Sequence, residues 1–269
     1  MATAREVAQA FEEIAPMSAG LAGDQLGFIH GNPDAVVAGL GCMWCVHSQS
    51  LRYCAERGLN MIICHEALWL PAQTSPWYDG PTEERIFSNR VRREGLAAGG
   101  AVVYRSHSNW DGLRNIGIAD SAVAALRLAE AKEIGRQRFF SVQELARPVY
   151  VEELKRIVER GLGFAGCRIF GDAGKQIRRF AFLIGGFGEN QCHMPQAAME
   201  MGAEAVIIGE MSEFIVIACL EMGLPVIESL HSVSEIPGIK AQAEVLAKRL
   251  HPLRVEYVPS GAMSFSRQI

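Results

Sequence analysis

Short apolar runs alternate with stretches of helical spacing along the whole chain. Residues 7–14 place apolar side chains on one helical face and predict a short amphipathic helix, stopped at Pro16. Val36-Val37-Ala38-Gly39-Leu40 predicts the first buried strand. Ser48 predicts the cap of a helix running to Arg57, with Gly58 as its stop and residues 60–64 as the next strand. The same helix–glycine–strand phrase returns at Gly202 before 206–208 and at Gly223 before 226–227. Thr82 predicts the start of a long polar helix reaching residue 98, and 118–134 and 151–160 predict two more. A buried strand is expected over 180–184, closed by Gly185-Gly186-Phe187-Gly188. This alternation is the rhythm of an α/β fold, with helices packed on sheets. Gly135-Arg136-Gln137-Arg138 is short, charged and followed by a fresh β-type run, so it predicts an internal boundary.

Composition narrows the class. A chain of 269 residues exceeds the usual single-core size, so two domains or one large one are expected. With 49% hydrophobic and 21% charged residues it reads as an ordinary globular protein rather than a disordered one. A formal charge of -4 offers no general attraction to nucleic acid; Arg90, Arg92 and Arg93 make a local basic patch that reads as a solvated helix face. No apolar stretch is long enough to span a bilayer, and Met1-Ala2-Thr3-Ala4-Arg5-Glu6 has no signal-peptide core, which predicts a cytoplasmic protein. The cysteines number seven, an odd count, and mostly sit in apolar surroundings, the usage of buried free thiols. Cys42-Met43-Trp44-Cys45 closes an apolar run and has no second CxxC to complete a zinc site, so packing is its expected role.

The candidate chemistry lies at strand ends. Met61-Ile62-Ile63-Cys64 leads into His65-Glu66, Ala101-Val102-Val103-Tyr104 leads to His107 and Asp111, and Pro225-Val226-Ile227 leads to His231 and Glu235. Ligands of open α/β sheets bind beyond the carboxyl ends of strands, so imidazoles and carboxylates there suggest a divalent metal. His65-Glu66 interrupts an apolar passage, where two buried polar groups would cost several kcal/mol without a partner. His231 and Glu235 stand four apart and share a face of a helical turn. Asp111 is expected in a polar loop, with Asn109 as a turn residue. Gly161-Leu162-Gly163-Phe164-Ala165-Gly166 matches a dinucleotide fingerprint in letters only; a helix precedes it, so it reads as a helix terminator. Gly171-Asp172-Ala173-Gly174-Lys175-Gln176 reads as a turn. The Gly185–Gly188 stretch is either a cleft lining or a tight turn, and His30, His47, His193 and His251 are read as structural.

In order and spacing, Asp24-Gln25-Leu26-Gly27-Phe28, Cys64-His65-Glu66, Ser106-His107-Ser108-Asn109-Trp110-Asp111, Gly185-Gly186, Ile208-Gly209-Glu210 and His231 with Ser234-Glu235 resemble the NGG-interacting-factor-three-like family, also known as GTP cyclohydrolase I type 2. The resemblance implies two interlinked α/β domains on mixed sheets, in the short form without an inserted domain. Their expected extents are 1–134 plus 229–269, and 139–228. It also implies a toroidal homohexamer and a centre of two divalent metal ions (zinc, iron or manganese). By position the ligands would be His65, Glu66, Asp111, His231 and Glu235, with Glu235 bridging. Many members carry two consecutive histidines where this chain has His65-Glu66. His107 is the expected proton-transfer or positioning residue, and Glu210 is a weaker candidate at the cleft rim. Two such metals can activate water and hold a substrate oxygen, the chemistry of a hydrolase acting on a small polar or nucleotide-like substrate. The alternative is a metal-binding oligomeric scaffold without catalysis. Trp69, Trp77 and Tyr78 are expected at an interface or a cleft wall.

Overall fold

Residues 2–71, 74–75 and 78–266 are described in the computed structural model. The chain builds one unit from Met1–Trp110, a second from Asp111–Gly238, and returns to the first with Ile239–Ile269. Both are α/β.

The first unit opens with the helix Ala4–Glu12, three residues earlier than the apolar spacing suggests, because Thr3 and Glu6 cap each other reciprocally. Its sheet runs in the order Gly27–His30, Val102–Arg105, Met61–Cys64, Leu40–Met43 and Val255–Tyr257. The first pair is antiparallel and the rest are parallel, so the sheet is mixed. The first strand is therefore Gly27–His30, and the expected strand over 36–40 begins only at Leu40. Val36 is 49% exposed, and the ladder starts where Leu40 meets Met61 and Val255. The helix Ser48–Arg57 ends at Gly58 in the left-handed region as expected, but its cap is His47, whose Nδ1 accepts from the Ser50 amide. Thr82 precedes only a 3-10 turn; the long helix is Phe87–Gly99, and Ile86 with ψ 121 separates the two. Met43, Ile62, Cys64, Leu96 and Val103 fill the core against these helices.

The second unit's sheet runs Lys132–Gln137, Phe140–Tyr150, Gln176–Leu183, Ala205–Ile208, Val226–Glu228 and Arg168–Phe170. Its three middle-to-late strands, ending at Leu183, Ile208 and Glu228, are parallel. The helix expected over 118–134 stops at Ala125, and Lys132–Gln137 is an edge strand instead. Pairing with Phe140–Tyr150 overrides its helix-like composition, which places Gly135–Arg138 at the end and turn of a hairpin. Helix Val151–Leu162 is capped by Gly163 at φ 67, so the fingerprint-like glycines do terminate a helix. Phe140, Ala181, Val206, Ile208, Ile215 and Val226 form this unit's core.

All seven cysteines are free, and five of them are buried. Among the described residues no helix is long and apolar enough to cross a membrane.

Candidate functional site

In each unit the candidate residues gather beyond the carboxyl ends of adjacent parallel strands. Cys64 and Arg105 are register partners, so the residues that follow them leave the first sheet side by side, tied by the Ser106 amide donating to the Cys64 carbonyl at 2.9 Å. His65 is 1% exposed, and its Nδ1 lies 3.1 Å from the Ser106 carbonyl oxygen. A carbonyl can only accept, so Nδ1 carries the proton and Nε2 keeps its lone pair. Arg105 fixes the same turn from behind, its Nε donating to the His65 carbonyl at 3.1 Å. The His107 ring stands 4.8 Å from the His65 ring, centroid to centroid.

His107 is oriented by a residue the sequence motifs did not single out as functional. Its Nδ1 lies 2.9 Å from Asp24 Oδ2, while Arg105 Nη1 donates to Asp24 Oδ1 at 2.6 Å and Ser108 donates from both amide and hydroxyl. Burial pushes the Asp24 carboxyl up, but the Ser108 hydrogen bonds and the His107 charge outweigh it and hold the group well below the usual range. Asp24 is thus an acceptor throughout, and His107 presents Nε2. The only signal for it in the sequence is its place in the Asp24-Gln25-Leu26-Gly27-Phe28 string. Asp111 is not in a loop, as expected, but closes the short helix Ser108–Asp111, where it is 5% exposed. Asn109 fixes that turn, accepting from the His107 amide at 3.0 Å and donating to the Ala15 carbonyl at 2.8 Å.

In the second unit the strands ending at Leu183, Ile208 and Glu228 deliver Gly185-Gly186, Glu210 and His231. His231 begins the helix His231–Arg249, which brings its Nε2 to 3.4 Å from Glu235 Oε2 across one turn. Its Nδ1 lies 3.0 Å from Glu210 Oε1, the arrangement in which a carboxylate fixes a ligating imidazole. Glu235 is 4% exposed. The glycines make this cluster sterically feasible. A Cβ on Gly185 would stand 2.6 Å from Glu235 Oε1, and one on Gly186 would stand 2.8 Å from His231 Nδ1. Gly185 also has φ 75, and its amide donates to Ser234 Oγ at 3.1 Å. The Gly185–Gly186 stretch is therefore part of the candidate site. A cavity of about 600 Å³ opens beside it, walled by Phe164, Phe187, Met211 and Leu230, with Glu210 and His231 at its polar side.

In the first unit the donor atoms of His65, Glu66 and His107 are among those that could serve in holding a metal ion, and in the second unit those of Asp111 and Glu235 are. The donor set of imidazole nitrogen and carboxylate oxygen suits zinc, iron or manganese.

The other expectations fall outside this cluster. Arg92 donates to the Leu68 carbonyl at 2.5 Å and Arg93 pairs with Glu83 at 3.0 Å, so two of the three patch arginines are engaged within the unit. Trp69 is half-buried beneath the Arg93 guanidinium, 4.3 Å from its ring, while Trp77 lies outside the described residues.

Residues 2–262 match the family model of Duf34/NIF3 (NGG1p interacting factor 3). A Clostridium acetobutylicum protein called GTP cyclohydrolase 1 type 2 homolog is 25% identical, over 93% of this chain and 92% of its own length. A Staphylococcus aureus crystal structure superposes with a TM-score of 0.78 at 15% identity, covering 97% of this chain and 96% of that one. A Bacillus cereus protein described as related to NIF3 gives a TM-score of 0.75 at 15% identity, covering 96% and 97%.

Proposed function

The chain belongs to the Duf34/NIF3 family, and from that membership we propose that it is a dinuclear divalent-metal protein that hydrolyses a small polar, nucleotide-like substrate. The ligands in this reading would be His65, Glu66, Asp111, His231 and Glu235. One observation carries the proposal. His65 turns Nδ1 to the Ser106 carbonyl, and His231 stands between two carboxylates, Glu210 at 3.0 Å and Glu235 at 3.4 Å, so each imidazole is held by oxygen acceptors as a metal-ligating histidine is.

When bound, the ions supply Lewis acidity to the substrate and lower the pKa of water. The chain's own residues do the rest. Glu210 holds the His231 ring, and Gly185 and Gly186 leave the space its ring and the Glu235 carboxylate occupy. His107, fixed through Nδ1 by Asp24, would hold or move a proton at Nε2. The Glu66 carboxylate would add a harder oxygen donor to the imidazoles, a set that suits zinc, iron or manganese. The name of the Clostridium acetobutylicum relative makes hydrolytic opening of a purine ring the first reaction to try.

A metal-binding scaffold is the competing reading. The cavity beside His231 favours catalysis, because a purely structural centre has no use for an approach. Metal content per chain tests the proposal, measured by plasma mass spectrometry on protein purified without chelator or an affinity metal. Wild type should carry close to two equivalents and Glu235→Ala well under one. A single equivalent in wild type would sink the dinuclear centre, and two equivalents with no turnover in a purine nucleotide screen would favour the scaffold.

A further inference from the structure

A second cavity, of about 400 Å³, lies in the first unit at the start of the helices Ser48–Arg57 and Phe87–Gly99. We propose that it binds a small carboxylic acid with an aromatic or aliphatic body. Its volume falls in the range of small-molecule sites, and its walls are mainly apolar, with Trp44, Phe87, Val91 and Phe265 around the opening. Phe87 is 70% exposed and Phe265 54%, large apolar surfaces turned to water around a concave site.

The polarity of the pocket is one-sided. Arg92 is the only Lys, Arg, Asp or Glu among the lining residues. It is held in place by the Leu68 carbonyl at 2.5 Å and by Cys45 Sγ at 4.0 Å, contacts that use two of the five guanidinium N–H groups. The remaining planar donors suit a carboxylate, and no acidic side chain in the lining competes for them. His47 adds no charge near neutrality, since burial lowers its pKa to about 4. Ser48, Ser88 and Ser260 add hydroxyls. Phe87 and Ser88 begin a helix whose N-terminus has no side-chain cap, so its first amides add to the preference for an anion. An apolar body in the aromatic walls and a carboxylate on Arg92 satisfy all of these features together. The cavity shares no residue with the proposed metal ligands, so this inference does not depend on the metal reading.

Titration calorimetry with 1-naphthoate and its neutral counterpart 1-naphthamide tests it on the full-length protein. Wild type should bind the acid about tenfold more tightly than the amide, the ratio expected of one charge-assisted contact. Arg92→Gln should erase that preference and leave amide binding unchanged. Because Arg92 also supports the Leu68 carbonyl, Phe87→Glu provides a second variant at an exposed position; it should weaken the acid more than the amide by placing a negative charge at the opening. No saturable binding by wild type, equal affinity for acid and amide, or a preference for the acid that survives in Arg92→Gln would overturn the proposal.

Discussion

Residues set the chemistry through hydrogen bonds that decide which atom of each side chain is presented. Asp24 is the clearest case. It gathers Arg105, His107 and Ser108 on one carboxylate, and none of these contacts is visible in the local sequence, because Asp24 and His107 are 83 positions apart. Its pKa is depressed in the folded protein, so the unfolded chain binds the proton more tightly. The stabilisation from Asp24 is therefore complete above the ordinary carboxylate range, near pH 4, and drains away as pH falls below it. Asp24→Asn should lower the unfolding free energy at pH 7 by about 1.5–3 kcal/mol, the usual worth of a hydrogen bond to a charged group. In urea titrations the gap between variant and wild type should narrow as pH drops from 6 toward 3. A gap that stays constant would mean the carboxylate is not the source. By contrast, His65-Glu66 and the His231 to Glu235 spacing were legible as candidates, because an interrupted apolar run and a four-residue interval are local features.

Elements set the placement. Parallel neighbours carry their carboxyl ends to the same edge, which is why residues after Cys64 and Arg105 meet, and why Gly185-Gly186, Glu210 and His231 meet. The strand Lys132–Gln137 shows what local pattern lacks. Lys132–Gln137 has an exposed Ile134 and helix-forming neighbours, and only pairing with Phe140–Tyr150 makes it a strand. The tight glycine turn after Leu183 can be tested directly. Gly186→Ala keeps an ordinary backbone conformation but brings a methyl to 2.7 Å from Glu210 Oε1 and 2.8 Å from His231 Nδ1. Glu210 should be displaced and the His231 ring released, which predicts a loss of metal affinity of about tenfold, within the range seen when a ligand's supporting contact is removed. The melting temperature of the metal-free protein should barely move. A large loss of stability with metal affinity intact would show that the turn serves packing rather than the site.

At the scale of the whole molecule, the helix Glu213–Glu221 bears on whether the chain assembles with copies of itself. It is apolar nearly all round, with Ile215, Val216 and Cys219 buried against its own unit and Phe214, Ile217 and Leu220 exposed at 71%, 49% and 40%. A helix apolar on every side is ordinarily buried on every side. Light scattering should give a mass several times that of one chain, and Phe214→Glu with Ile217→Glu should reduce it. A monodisperse monomer in wild type would remove the oligomer from the account.

The sequence by itself determined the α/β class, most of the helices and parallel strands, and the His, Asp and Glu positions that are candidates for the chemistry. Each of these is written in short-range order: alternation at two residues, helical repeats at three and four, a glycine where the backbone turns left-handed. Tertiary structure alone decided which nitrogen His65 and His107 present, that Asp24 anchors His107, that Glu210 anchors His231, and that Gly185 and Gly186 make room for the His231 ring and the Glu235 carboxylate. Those outcomes depend on strand register and on contacts between residues far apart in the chain. A hydrogen bond is set by ångström-scale geometry that no local spacing encodes.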